Sequence, residues 1–232
     1  FASPDQVNSF NRVSPKIGTT YDFGLGRGVY ANFSQGFQPP EVGELYRKVK
    51  VPSLKAAHFN NYEIGGWWSL LEGKLNLELS AYQLDGTNEI ISVQVGTETI
   101  NQNAGETRHR GIEYAATYSP NRQINFRLGA TNAEHKFIDY VENGNDFSSN
   151  EMAGAPSWIA NSSVTYRPSF LRGIRAGVEW QHVGSYFLDN SNANGEYEGY
   201  DIFNLRLAYS LANVELWSNI YNVSDELFAT RA

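Results

Sequence analysis

"GIEYAATYSPNRQINFRLGAT", residues 111–131, is two runs of strict alternation on either side of a short polar turn. Ile112, Tyr114, Ala116 and Tyr118 share one face of the first run, against Gly111, Glu113, Ala115 and Thr117. Ile124, Phe126, Leu128 and Ala130 share one face of the second, against Asn125, Arg127, Gly129 and Thr131. Successive side chains of a strand point to opposite faces, whereas a helix would spread these apolar residues around its axis. With "SPNRQ" (119–123) as the turn between them, the stretch predicts an antiparallel hairpin.

The same period extends in both directions. It recurs over 12–23, 29–34, 61–70, 74–81, 158–167, 174–181 and 203–209. The closing run "NVELWSNIYNVSDELFATRA" (213–232) sets Val214, Leu216 and Ile220 against Glu215 and Asn219. About ten strands result, an all-β chain. Their connections alternate between short and long. Short turns fall at 23–27, 70–74, 119–123, 168–173 and 210–213, and long ones at 37–58, 85–107, 137–156 and 187–199. A soluble sandwich with mostly short connections would not carry four such loops. An up-and-down transmembrane β-barrel does, with tight turns at one rim and long loops at the other.

Composition narrows the function classes. The chain has 232 residues, no Cys, one Met and a net charge of −7, so disulfide and thiolate chemistry are excluded. No basic run marks a nucleic-acid surface, and nucleic acid is not expected as a partner. No stretch of about 18 apolar residues offers a transmembrane helix, and the mean hydropathy is −0.44. Spanning strands alternate apolar and polar residues, so an ordinary average is compatible with a membrane barrel. The apolar faces carry Phe23, Tyr118, Tyr166, Tyr186 and Tyr209 near strand ends, as interfacial girdles require. The opposite faces carry charges, among them Glu63, Glu78, Arg127, Glu179 and Arg206, which are expected to pair across strands or to meet a lumen-filling domain.

Four stretches in register give the pattern a family resemblance. "YANFSQGFQPPEVGELY" (30–46), "FNNYEIGGWWSLLEGKLNLELSAYQLDGTNEI" (59–90), "NAGETRHRGIEYAATYSP" (103–120) and "YNVSDELFATRA" (221–232) resemble the barrel strands of TonB-dependent outer-membrane receptors of the ferric-siderophore type. The last of them departs from the family's Asn-Leu-Phe-Asp at Val223 and Ser224. That resemblance implies a barrel of about 22 strands around a plugged lumen. Residues 1–232 would be its C-terminal portion, with the plug domain and the TonB-contacting segment upstream and the final strand downstream.

The resemblance further implies active import across a Gram-negative outer membrane. A ferric siderophore or similar scarce nutrient would be the cargo, TonB the energising partner and outer-membrane lipid the surroundings. A passive porin, and a cobalamin, haem or glycan receptor of the same barrel type, are the alternatives. A barrel enzyme, which should show a His convergent with Asp or Ser near the outer rim, and a soluble β-sandwich binding module, which water solubility without detergent would support, are the further competitors.

Residues with their own chemistry are few. His58, His109, His135 and His182 show no metal-ligand spacing, no nucleophile elbow is present, and neither a cofactor nor catalysis is expected. The ligand-binding candidates lie in the outer loops: Tyr46, Arg47 and Lys48 in "ELYRKVK", Arg108, His109 and Arg110 in "ETRHRG", and the aromatics Tyr186 and Phe187. The two basic groups suit an anionic chelate. For "ETRHRG" a solvated rim cluster, or charges paired with anionic lipid headgroups, is the favoured reading.

Overall fold

In the computed structural model, which describes residues 9–45, 54–95 and 98–229, ten strands form one continuous antiparallel sheet. In chain order the elements are β1 (Lys16–Gly24), β2 (Arg27–Gln38), a single helical turn α1 (Val42–Leu45), β3 (Ala57–Leu70), β4 (Leu75–Thr87), β5 (Ile90–Val95) and β6 (Glu98–Asn103). Then follow β7 (Glu106–Tyr118), β8 (Ile124–Asp139), β9 (Val141–Glu142), β10 (Asn145–Asp146), β11 (Trp158–Tyr166) and β12 (Ile174–Val183). The last are β13 (Tyr186–Phe187), β14 (Glu196–Tyr197), β15 (Tyr200–Leu211) and β16 (Val214–Ile220).

The large sheet is a meander in the order β1-β2-β3-β4-β7-β8-β11-β12-β15-β16, each strand beside its neighbour in this sequence. It is open, with β1 and β16 as its edges. The remaining six strands form three small hairpins, β5–β6, β9–β10 and β13–β14, one within each of three long connections. All five short turns lie at one rim and all long connections at the other, as alternation predicts. The short turns use left-handed backbone, for instance Leu25 (φ 54°) and Gly26 (φ 71°), a pair that continues the strand twist in a two-residue hairpin.

The apolar faces are the outward ones. Ile17, Tyr21, Ile64, Leu79, Ile112, Leu205 and Leu207 are all exposed, which in water would be costly and against hydrocarbon is favourable. The inner face carries polar contacts across neighbouring strands. Tyr30 donates to Glu63 Oε1 at 2.5 Å and Asn32 Nδ2 to its Oε2 at 3.1 Å. Arg206 reaches Glu179 at 2.8 Å, and Arg175 reaches Glu215 at 2.8 Å. Glu78 and Arg127 instead line open hollows of that face.

Three expectations needed adjustment. β1 begins at Lys16, not near Arg12, because Pro15 has no N–H to offer and contributes only its carbonyl, which accepts from Gln35 at 2.9 Å. Several strands also run farther outward than the alternation suggested: β7 starts at Glu106 and β8 continues to Asp139. Beyond the apolar belt both faces are polar, so the periodic signal fades while the backbone ladder continues. Tyr186 belongs to an outer hairpin, not to a girdle.

Buried side chains concentrate at the outer end, away from the middle of the sheet. Phe137, Tyr140, Val93 and Ala104 form a core there, each 3% exposed or less, with Ile91, Ile100, Phe147 and Met152 packed around it.

Candidate functional site

The outer core exists because β7 and β8 project past the apolar belt and the connections fold over them. Phe137 and Tyr140, at the end of β8 and just past it, stack with ring centroids 4.2 Å apart. The hairpin β5–β6 lays Val93 and Ile91 against that pair. Tyr140 donates its hydroxyl to Glu142 at 2.7 Å and accepts from Gln102 of the same hairpin at 3.1 Å. Burial, then the adjacent Glu142 carboxylate, pushes the Tyr140 phenol well above its ordinary range, so it remains a neutral donor.

Asparagines lock the next two connections together. Asn150 donates to the carbonyls of Asn190 (3.0 Å) and Ser191 (3.2 Å), and Asn192 donates to that of Glu151 at 2.9 Å. Asn192 Oδ1 accepts from the Glu151 amide at 2.8 Å, and Asn190 Oδ1 from the Ala153 amide at 3.2 Å. A buried amide side chain offers both donor and acceptor, so one residue satisfies two backbone groups that a loop would otherwise leave unpaired. The three connections therefore form a preorganised cap.

The roots of the cap are tied to the wall. Asn103 accepts from the Lys55 amide at 2.8 Å and donates to the carbonyls of Lys55 and Asn88 at 2.9 and 2.7 Å. Gly105 lies so close to Asp139 that an added Cβ would meet its carbonyl oxygen at 2.5 Å. Thus the "Asn-x-Gly" of residues 103–105 is a joint between hairpin and wall.

Beside it, Glu89 accepts from Thr107 at 2.6 Å and contacts His109 Nε2 at 3.0 Å, while His109 Nδ1 faces His135 Nδ1 at 2.8 Å. With both rings neutral, His109 donates to Glu89 and accepts from His135. Burial raises the Glu89 carboxyl, but the His109 and Thr107 hydrogen bonds outweigh it and leave the group below its ordinary range. Burial, then His109, pushes the His135 imidazole down, against a smaller opposing pull from Glu89.

Between the β5–β6 hairpin and the two later connections opens a cleft of about 650 Å³. Ile91, Val93, Phe147, Met152 and Leu188 give it an apolar floor, and Glu142, Asp189, Asn190, Ser191 and Asn194 a polar rim. Asp189 accepts from the Ser191 hydroxyl and, at 2.7 Å, from the Ser191 amide; these bonds hold its carboxyl below the usual range. A pocket that combines an apolar body with a few fixed polar groups is the ordinary form of a small-molecule site.

The sequence candidates are not gathered into one site. Tyr46, Arg47 and Lys48 lie outside the described residues. Arg108, His109 and Arg110 are adjacent in sequence, but on β7 they alternate. His109 takes the inner side, while the arginines share the outward face with Ile112. There Arg108 pairs with Asp85 at 2.6 Å, and Arg110 with Glu134 at 2.7 Å, which Lys136 also contacts. Tyr186 packs on Tyr197 with ring centroids 5.1 Å apart, and the Phe187 carbonyl accepts from Gly154 at 3.0 Å beside the cleft. Of the cleft's own residues, sequence reasoning offered only Phe147, as a loop aromatic able to pack on a chelate, and missed the rest. Two signals were present: the chain's single Met, and the asparagines at 143–150 and 190–194 in two of the long connections.

A sheet whose outward face is apolar, whose inner face is polar and whose long connections build a cap with a cleft defines the wall of an outer-membrane-type β-barrel. The chain belongs to the family of TonB-dependent receptors: the model for the TonB dependent receptor-like β-barrel matches residues 2–223. It is 26% identical to the metal-pseudopaline receptor CntO of Pseudomonas aeruginosa over 225 residues, which are 95% of this chain and 30% of that protein. With the catecholate siderophore receptor Fiu of Escherichia coli O157:H7 it shares 25% identity over 236 residues, again 95% of this chain and 30% of that one. The siderophore receptor PiuA from Acinetobacter baumannii superposes with a TM-score of 0.71 at 19% identity, covering 91% of this chain and 31% of that structure. The chain thus spans about 30% of the length of the curated relatives it matches.

Proposed function

We propose that the protein carrying this chain is an outer-membrane receptor of a Gram-negative bacterium that imports a ferric siderophore or a similar metal complex, energised through TonB. Residues 1–232 are then the C-terminal portion of its barrel, with the plug and the TonB-contacting segment upstream. The observation that carries this reading is the preorganised cap: an apolar-floored cleft held by paired asparagines at the rim opposite the tight turns. A rigid wall with a shaped outer cleft suits capture of a bulky solute from outside. The curated relatives are receptors for a metal-pseudopaline complex and for catecholate siderophores, and we read this protein as a receptor in the same way.

Ligand contacts come from the cleft, bordered by Tyr186 and Phe187. The first outer connection adds Tyr46, Arg47 and Lys48, while Arg108 and Arg110 meet the lipid headgroup region. The test is uptake of radiolabelled ferric complexes by cells that express the full-length protein as their only receptor. Accumulation that disappears when tonB is disrupted is expected. Accumulation that persists without TonB would replace this reading by a passive pore.

A further inference from the structure

We infer that the outer cleft selects metal complexes without net negative charge, neutral or cationic, and disfavours polyanionic ones; this inference deepens the uptake reading above and rests on it. The site is the cleft itself, and the charge around it decides the class of cargo. The three connections that build the cap, 88–105, 140–157 and 184–199, contain no Lys, Arg or His. They contain eight acidic residues: Glu89, Glu98, Glu142, Asp146, Glu151, Asp189, Glu196 and Glu198. An even spread of the chain's 18 basic residues would put about four there.

The bases are elsewhere. Arg127, Arg167, Arg175 and Arg206 border the hollow near the tight-turn rim together with Glu179 and Glu215, which pair with Arg206 and Arg175, so a positive excess lies there and none lies in the cap connections. The acidity is therefore a property of the cap and not only of an acidic chain.

Two of these carboxylates, Glu142 and Asp189, line the cleft, and neither is neutralised there by a cation among the described residues. Glu142 accepts from Tyr140 and Asn190, and Asp189 from Ser191 and Asn194; these donors stabilise the charges without cancelling them. A polyanion entering the cleft would meet like charges next to an apolar floor, where screening by water is reduced. A neutral or cationic complex escapes that repulsion. Its aliphatic or aromatic body has Phe147, Leu188 and the adaptable thioether of Met152 to pack on, and its amides have Asn190, Asn194 and Ser191. The cap's field would also enrich cations at its mouth, an effect that weakens with added salt.

The opposing charge is in the first outer connection, with Arg47, Lys48, Lys50 and Lys55. Lys55 sits at the hairpin root beside Asn103, not on the cleft. The experiment includes this group.

Full-length receptor in detergent is titrated, with intrinsic tryptophan fluorescence as readout, with three ferric complexes: a neutral trihydroxamate, a cationic trihydroxamate bearing a free amine, and a trianionic tris-catecholate. Glu142→Gln/Asp189→Asn changes the cleft, Glu196→Gln/Glu198→Gln changes only exposed rim charge, and Arg47→Gln/Lys48→Gln removes the competing cations. The neutral or cationic complex is expected to bind tighter than the tris-catecholate. Each acid-removing pair should narrow that gap about fivefold, and more at low salt. Tightest binding of the tris-catecholate, lost in Arg47→Gln/Lys48→Gln and unaffected by the acid replacements, would overturn the inference and leave the uptake reading intact. Binding of none of the three would overturn both.

Discussion

Gly28 lies under the Trp67 ring: a Cβ built on it would be 2.1 Å from Cζ2. Both residues face the lumen in register, Gly28 opposite Trp67 on β2 and β3. The indole occupies the volume a side chain would take, so Gly28→Ala is an overpacking change with no loop to absorb it. We expect a loss of about 1–3 kcal/mol, read as a lower urea midpoint of the refolded full-length barrel. Trp67→Phe should recover most of that loss in the double variant, and an unaltered midpoint for Gly28→Ala would show that the ring is not held there. The residue scale is also where the sequence misled. Arg108, His109 and Arg110 read as one cationic cluster because the period-two rule was applied only from Gly111 onward. Placed on β7 from Glu106, the same rule separates His109 from its neighbours. Asn103 and Gly105 were visible as a motif, but their work as a joint needed the neighbouring chain to be seen.

At the scale of elements, the ten wall strands were legible because one face meets hydrocarbon and the other a polar lumen, and that contrast writes a period of two into the sequence. The outer hairpins were not legible, since they pair only with themselves above the membrane and their order comes from asparagine bonds and the Phe137–Tyr140 stack.

One such element has a built-in pH dependence. Hairpin β5–β6 is rooted by Glu89 on His109 and His135. The folded pKa of His135 lies below its ordinary value of 6.5, so the unfolded form binds the proton more readily. The anchor is at full strength above about pH 6.5 and weakens as the pH falls through the folded pKa. Glu89 is also lowered, from 4.5, and adds a second loss in more acid solution. Hydrogen exchange of residues 90–103 should therefore accelerate between about pH 7.5 and pH 5.5, relative to β4 and β7 and after correction for the intrinsic rate. Equal protection at both values would mean that the hairpin is held by its apolar contacts alone. Asn103→Ala should speed the same amides at pH 7.5, because two carbonyls and one amide lose their partner.

The whole molecule is oriented by where charge first appears on the outward face. Along β4 that face reads Leu75, Leu77, Leu79, Ala81, then Gln83 and Asp85; along β8 it reads Phe126, Leu128, Ala130, then Asn132, Glu134 and Lys136. Asp85, Arg108, Arg110, Glu134 and Lys136 thus form a band of alternating sign above the apolar belt, at the level where strands leave the hydrocarbon. Across that boundary one charge has two costs depending on depth. Leu79→Arg, in the middle of the belt, should destabilise the full-length barrel in liposomes by about 2–4 kcal/mol, whereas Arg110→Leu should change it by under about 1 kcal/mol, the worth of an exposed ion pair. The measurement is denaturant unfolding followed by tryptophan emission. Equal effects at the two positions would mean that the outward face does not meet lipid, and the transmembrane orientation would have to be abandoned. In detergent micelles, which adapt to the protein surface, the Leu79→Arg penalty should shrink. The difference between the two media would then measure the contribution of the bilayer itself to the depth dependence.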